Sequence, residues 1–380
     1  MMVEKSMRTL SICIPTYNRP SQLKSLNDRF LSKVLDRYGD TVEIVVSDNS
    51  DQDISLQNQR NLDARIMYSK NVQNIGVSKN LVRCVELATA KYIWLLSDDD
   101  DIIWDGFEAL IGALREGRSD CYLLSYEFTT DLNEKIAQRY AFLRPGEAHV
   151  VSDLFPKGQY FLPFTLLSAG VVRLDKSALQ EIRQAFEGNL FIQIVMFMSM
   201  LRNDSSVEVL PPVIDYNAAY RVQFDIVALF KSYIAVTKHL EKRFETIHEM
   251  RDLYFAISIA SSIDLLIRHR AGLIRLKKVD GARWELLKAL REYPDRRGLK
   301  MLSVTFLPAW LGGWWHTLFL AKMYMAMPQV GNGTTFSKVG SSDLVEHESG
   351  WQRLKQNALK FMAGVRLIRA KITQHKHFET

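Results

Sequence analysis

Tyr92-Ile93-Trp94-Leu95-Leu96-Ser97-Asp98-Asp99-Asp100-Asp101 is the stretch on which the reading of this chain turns. Five aromatic or aliphatic residues in a row have the length and bulk of a buried strand. One serine later come four consecutive carboxylates. Like charges side by side repel each other and gain nothing from burial. A hard divalent cation relieves that cost, because Mg2+ and Mn2+ favour carboxylate oxygens and bridge them to phosphates. A solvated acidic loop is the plain alternative. The position favours a ligand site, since open α/β sheets bind ligands beyond the carboxyl ends of their strands.

Outward from this stretch, strand and helix patterns alternate. Leu10-Ser11-Ile12-Cys13-Ile14-Pro15 reads as a short buried strand closed by proline, and a helix-compatible segment runs from Ser21 to about Tyr38. Val42-Glu43-Ile44-Val45-Val46 is a second strand, ended by the turn formers Ser47-Asp48-Asn49-Ser50-Asp51. Arg65-Ile66-Met67-Tyr68 suits a short third strand. Asn74-Ile75-Gly76-Val77 opens a helix reaching about Ala90. Beyond the aspartates, Trp104–Leu114 is helical in pattern and Cys121–Tyr126 is another strand. This order predicts an α/β protein with a mostly parallel sheet covered by helices on both faces. Residues 127–224 are mixed: a strand at Gly170–Leu174, a buried helix at Leu190–Leu201, and a late strand at Val207–Leu210 ending at Pro211-Pro212. Helical patterns follow at Ile226–His248, Tyr254–Arg270 and Trp284–Glu292.

Two domains are expected, residues 1–225 with the alternating strands and helices and the aspartate run, and a helical, basic region at 226–380. Charge supports the boundary. The whole chain carries +6, but residues 1–225 hold 24 Lys and Arg against 30 Asp and Glu, a net of −6, while the remainder nets +12. A basic half suggests an anionic partner such as a membrane surface or a phosphate-rich substrate. A basic solvated helical surface explains it equally simply, and no nucleic-acid reading motif is present. Val304–Met327 is aromatic and apolar yet contains Pro308, Gly312, Gly313, His316 and Lys322, which favours a core or interfacial segment over a span. Trp351–Lys371 spaces apolar and basic residues as an amphipathic helix suited to an anionic membrane surface. The three cysteines, Cys13, Cys84 and Cys121, are widely spaced and read as free thiols of a reducing compartment. The N-terminus has no apolar signal-peptide core, so a cytoplasmic location is expected.

The ordered set Ser11-Ile12-Cys13-Ile14-Pro15-Thr16-Tyr17-Asn18-Arg19, Val45-Val46-Ser47-Asp48-Asn49-Ser50, Asn74-Ile75-Gly76 and Tyr92 through Asp100 resembles the family 2 glycosyltransferases, which have the GT-A fold. The likeness is strong over about residues 8–125. Its flavour is that of bacterial enzymes of O-antigen and capsule assembly, abequosyltransferase-like members among them. The resemblance implies a nucleotide pocket lined by Pro15, Thr16, Tyr17 and Arg19, with Asp48 and Asn49 toward the base or ribose and Lys79 beside the nucleotide. It places the metal-binding Asp-x-Asp element in the aspartate run. Counted from Tyr92, Asp98 falls on the ribose position and Asp99 on the metal position, with Asp100 assisting. Counted back from Ile102-Ile103, the register slips one residue later. Arg221 is placed to clamp the diphosphate.

The activity so implied is inverting transfer of a sugar from a nucleoside-diphosphate-sugar, with Mg2+ or Mn2+ as cofactor. The acceptor would be a hydroxyl of an oligosaccharide, lipid-linked and reached at the inner face of the plasma membrane. Inverting transfer needs a general base. The Glu-Asp pair that many relatives carry is missing here, where the chain reads Phe186-Glu187-Gly188-Asn189-Leu190. Glu187 is the nearest carboxylate, with Asp153 and Asp175 as alternatives. Two other readings stand beside this one: a non-catalytic sugar-binding relative, and a nucleotidyltransferase. The second lacks its glycine-rich phosphate loop, because Pro15-Thr16-Tyr17-Asn18-Arg19 occupies that place.

Overall fold

A computed structural model of the chain describes residues 8–129, 135–140, 143, 148–154, 164, 166–177, 179–216, 225–249, 281–292, 334–338 and 344–345. β1 (Leu10–Thr16) leads through α1 (Pro20–Leu26), a π-helical turn at Asn27–Leu31 and α2 (Ser32–Tyr38) to β2 (Val42–Asp48). α3 (Gln52–Asn61) precedes β3 (Met67–Lys70), and α4 (Val77–Leu87) precedes β4 (Tyr92–Leu95). A two-residue β5 (Asp101–Ile102) and α5 (Trp104–Glu116) come next, then β6 (Cys121–Thr129), β7 (Lys135–Tyr140), β8 (His149–Val150) and β9 (Gly170–Arg173). α6 (Leu179–Ala185) and α7 (Ile192–Ser199) lead to β10 (Ser206–Tyr216). α8 (Ile226–Leu240), α9 (Glu245–Glu249), α10 (Ala282–Glu292), β11 (Thr334–Lys338) and β12 (Leu344–Val345) are the remaining described elements.

Strands β3, β2, β1 and β4 pair in that order and are parallel. β9 then pairs antiparallel to both β4 and β6, which turns β6 back to the direction of β4. β10 lies parallel to β6. The carboxyl ends of β1, β2, β3, β4, β6 and β10 therefore share one edge of the sheet. β7, β11 and β12 extend it by antiparallel pairs.

Strand periodicity sorts the core into two layers. Cys13, Val45, Ile93, Leu95, Cys121 and Leu123 face one cluster with α4, α6, α7 and α8. Their neighbours Ile12, Ile14, Val46, Tyr92, Trp94, Tyr122 and Leu124 face the other, with α1, α2 and α5. Successive side chains of a strand point to opposite faces, so a run such as Tyr92–Leu96 must be apolar throughout when both faces are covered. This is the α/β arrangement, with helices on both faces, that the GT-A resemblance implied. The three cysteines are free and buried.

Two features differ from the sequence reading. The late strand does not stop at Pro211-Pro212. β10 continues to Tyr216, with register shifts on either side of Pro212, because a bulge lets proline sit in a strand without its missing donor. α3 is an additional helix directly behind the turn at Asp48–Asp51; its mean polarity left no strong apolar stripe to read. Asp225, at the expected domain boundary, caps α8 by accepting hydrogen bonds from Val227 N (3.0 Å) and Ala228 N (3.2 Å). Leu229, Val236 and Leu240 of that helix join the same core as α7. The segments Tyr254–Arg270, Val304–Met327 and Trp351–Lys371 lie outside the described residues. Among the described residues, no helix is long and apolar enough to cross a membrane.

Candidate active site

The first three predicted loops meet at the carboxyl edge. After β1, Thr16 Oγ1 donates to Asp98 Oδ2 at 2.7 Å. Arg19, three residues on, sends the same Nη1 to Asp98 Oδ1 (2.8 Å) and Asp99 Oδ2 (2.9 Å). Between them Asn18 takes a left-handed φ of 53°, which asparagine tolerates better than most residues. Asn18 N donates to Ser50 Oγ at 2.7 Å, and its amide exchanges two bonds with Asp51. The β1 and β2 loops are thereby fastened together. Pro15 is half-buried at the end of β1, and Tyr17 stands out at 48% exposure.

Asp48 and Asn49 form the floor. Asp48 is fully buried; Oδ1 accepts from Ser50 N (2.7 Å), and Oδ2 from Asn58 Nδ2 (2.8 Å) and Tyr68 OH (2.5 Å). Burial alone would raise its pKa, but the donors from Asn58, Ser50 and Tyr68 outweigh it and hold Asp48 below the usual carboxylate range. Asn49 accepts from Asn71 Nδ2 (2.9 Å) and Ile75 N (3.2 Å), and donates to Asn74 Oδ1 and Gly76 O. Asn80, in the second turn of α4, accepts from Ser47 Oγ and Asn71 Nδ2, both at 2.8 Å, and donates to Ser47 O (3.1 Å) and Thr16 O (3.4 Å). Gly76 precedes α4 with φ 81°, a conformation that costs glycine little.

The four aspartates are not equivalent. Asp98 and Asp100 are buried, Asp99 is partly exposed and Asp101 about half exposed. Burial pushes the Asp98 pKa up despite Thr16 and Arg19. Burial also pushes Asp100 up, to about 6, with the Asp99 and Asp98 charges adding to it. Both Asp99 oxygens carry bonds, Oδ2 from Arg19 and Oδ1 from Ser97 Oγ. Asp100 Oδ2 accepts from Ser168 Oγ at 2.5 Å, and Ser168 Oγ itself accepts from Ser97 N at 3.0 Å. Asp101 pairs with Arg29. Buried in the carboxylates, the Arg19 guanidinium would lose its proton more readily, but the bonds and charges of Asp98 and Asp99 override that and raise its pKa.

The topology separates the three base candidates. β9 runs antiparallel to β4, with Tyr92 opposite Arg173, so Asp175 lies at the amino edge, away from the aspartates. β8 pairs with the start of β10, Val207 opposite His149, which puts Asp153 at the same far edge. Glu187 lies where the chain turns back. Its Oε1 is 2.5 Å from Lys79 Nζ in the first turn of α4, and Ser78 Oγ donates to Asn189 O at 2.9 Å. Glu187 thus shares the carboxyl edge with Lys79, ion-paired and 65% exposed. Arg221 lies outside the described residues.

Sequence reasoning missed Ser168, Asn58 and Asn71. Ser168 is 68 residues from its partner Asp100, and no local pattern marks it. Asn80 was legible in part, as a polar residue beside Lys79 on the buried side of an otherwise apolar helix face. At the carboxyl edge Asp215 also lies opposite Asp101 in β5 and Glu127 in β6, acidic neighbours brought together only by strand pairing.

Oxygen-only donors, two of them buried with raised pKa values, suit a hard divalent cation, because the cluster's negative charge is incompletely balanced by Arg19. Among the described residues, no three His, Cys, Asp or Glu side chains are arranged as a complete protein cage. Mg2+ sites commonly use one or two carboxylates and complete the shell with water and substrate phosphate oxygens.

Comparison with known proteins places this geometry in context. The family description "Glycosyl transferase family 2" matches residues 11–172. An abequosyltransferase of Salmonella typhimurium is 25% identical over 204 residues, 50% of this chain and 60% of that protein. An uncharacterized glycosyltransferase of Methanocaldococcus jannaschii is 26% identical over 143 residues, 37% of this chain and 49% of the relative. The matches thus span roughly half to three-fifths of these relatives' own length. Among solved structures, Staphylococcus aureus TarS 1–349 in complex with UDP-GlcNAc aligns with TM-score 0.46 at 15% identity, over 89% of this chain and 99% of that one. A Pyrobaculum calidifontis mannosyltransferase in complex with GDP-Man and Mn2+ aligns with TM-score 0.43 at 10% identity, over 82% and 88%.

Proposed function

We propose that the protein, whose residues 11–172 match the description of glycosyl transferase family 2, is an inverting glycosyltransferase. It moves a sugar from a nucleoside-diphosphate-sugar to a hydroxyl of an oligosaccharide acceptor in cell-surface polysaccharide assembly. The observation that carries this reading is the meeting of the β1 and β2 loops with buried, incompletely balanced aspartates at one sheet edge. Similarity to an enzyme named abequosyltransferase supports the substrate class. The acceptor is lipid-linked and met at the inner membrane face, a reading supported by the net charge of +12 over residues 226–380.

In this mechanism Pro15, Thr16 and Tyr17 line the donor pocket. Asp48 and Asn49 hold its floor, and Lys79 flanks the nucleotide. Asp98 would face the ribose, and Asp99 and Asp100 would hold Mg2+ or Mn2+. A cation held there offsets the negative charge of a leaving diphosphate as a Lewis acid. Glu187, ion-paired with Lys79 at the carboxyl edge, accepts the acceptor proton. Arg221 clamps the diphosphate.

Thermal-shift measurements against a panel of nucleoside-diphosphate-sugars, with and without Mn2+, test the reading. One donor should stabilise the protein only with metal, the effect should vanish in Asp99→Ala, and the same donor should support transfer or slow hydrolysis. Donor binding without any turnover would favour a non-catalytic sugar-binding relative. No binding by any donor would overturn the assignment.

A further inference from the structure

Of the two carboxylates assigned above to the cation, one is already engaged by a cation of the chain itself. Arg19 Nη1 lies 2.8 Å from Asp98 and 2.9 Å from Asp99, a single nitrogen bridging both side chains. Thr16 and Ser97 fill the opposite oxygens of the same two aspartates. With those bonds in place, Asp99 has each oxygen occupied, and a divalent ion approaching it meets a guanidinium first. Arg19 is suited to leave. It keeps 32% of its side chain accessible and lies on the loop that turns from β1 into α1. Its side chain is long, and the left-handed Asn18 before it anchors the backbone independently through Ser50 and Asp51. The carboxylates, by contrast, sit in the turn that directly follows the fully buried strand β4.

Resting on the function proposed above, we infer that Arg19 is an internal counter-ion that occupies the aspartate pair until a divalent cation takes its place. The consequence is competitive. Mn2+ binds only the fraction of molecules in which Arg19 has swung away, so its apparent affinity is lowered by that fraction. An anionic donor diphosphate attracts the released guanidinium and couples donor to metal. Arg19 is thus a positioning residue that sets the order of loading. A second role follows: in the metal-free protein it prevents the buried aspartates from repelling one another.

The test measures Mn2+ binding to the full chain without nucleotide, by electron paramagnetic resonance of free Mn2+, for the unaltered protein, Arg19→Gln, Arg19→Lys and Arg29→Gln. Arg29→Gln controls for loss of a nearby positive charge, since Arg29 pairs with Asp101 instead. Arg19→Gln should bind Mn2+ at least about tenfold more tightly than the unaltered protein, because one charge-assisted pair no longer competes. Arg19→Lys should fall between, and Arg29→Gln should change affinity less than Arg19→Gln does. The metal-free melting temperature of Arg19→Gln should drop and recover with Mn2+ by more than that of the unaltered protein. Equal or weaker Mn2+ binding by Arg19→Gln overturns the inference, as does absence of Mn2+ binding in every variant. Failure of the function reading is a separate result, absence of nucleotide-sugar binding in the preceding assay.

Discussion

Replacing Asp100 by Asn should make the metal-free protein more stable at neutral pH, and the gain should disappear in acid. Asp100 is buried, and its pKa stands at about 6 against an ordinary 3.8. The folded state therefore holds a proton more tightly than the unfolded chain does. Between about pH 4 and pH 6 the native protein binds more protons than the unfolded one, so stability falls as pH rises through that window. A shift of about two units corresponds to about 3 kcal/mol lost above pH 6. Asparagine carries no charge to desolvate, keeps the side-chain shape, and retains an oxygen to accept from Ser168. Urea unfolding of both proteins at pH 4 and pH 8 reads the difference. The variant should exceed the unaltered protein by about 2–3 kcal/mol at pH 8 and match it near pH 4. Mn2+ should narrow the gap at pH 8 by stabilising only the aspartate form. A variant that is destabilised at pH 8, or a gain that does not vary with pH, would refute the reasoning.

Three further outcomes are expected. Gly106→Ala in α5 should destabilise the fold by about 2 kcal/mol in denaturant titrations despite alanine's better helix propensity, because the new Cβ would meet Pro212 O at 2.0 Å and Val213 Cα at 2.9 Å. Asn80→Ala should cost about 3 kcal/mol and weaken nucleotide-sugar binding in calorimetry, since it removes the four bonds that tie Ser47, Asn71 and Thr16 to α4; unchanged affinity would separate the network from the pocket. Glu187→Gln should lower kcat by about a hundredfold or more with donor affinity retained, whereas Asp175→Asn, at the far sheet edge, should leave kcat unchanged.

Much of this was legible because the sheet is covered on both faces. Tyr92–Leu96 is apolar at every position and Val42–Val46 at every position but Glu43, so each strand and its carboxyl end could be placed without knowing its neighbours. Thr16, Arg19, Asp48 and the aspartates follow directly from those ends. What could not be read depended on pairing across long separations. Ser168 supports Asp100 only because β9 returns antiparallel beside β4. Asp153 and Asp175 stood as alternatives to Glu187 until strand direction put them on the opposite edge. The bulge that carries β10 past Pro212 likewise depends on its partner β6, and proline by itself argued for a stop.

Four buried carboxylates in one sheet distinguish structural charge from charge held for a ligand. At the amino edge Glu43 is buried, yet it accepts from Ser11 Oγ, Thr89 N and Oγ1, and Arg8. Burial would raise its pKa, but those donors bring it below the ordinary value. Asp48, with Ser50, Asn58 and Tyr68, behaves the same way. Both are stabilised as anions by the fold alone and need no further partner. Asp98 and Asp100 are as deeply placed, but their donors fall short of the desolvation cost and their pKa values rise. A fold able to surround Glu43 with donors, Ala90 N among them, supplies only Ser168 to Asp100 among the described residues. Such a deficit persists at a site when something outside the chain makes it good, which is why strained, underpaired groups gather where ligands bind. On this comparison Asp48 belongs to the scaffold that shapes the pocket floor, and the under-balanced pair of aspartates is where a cation and a diphosphate would contribute most.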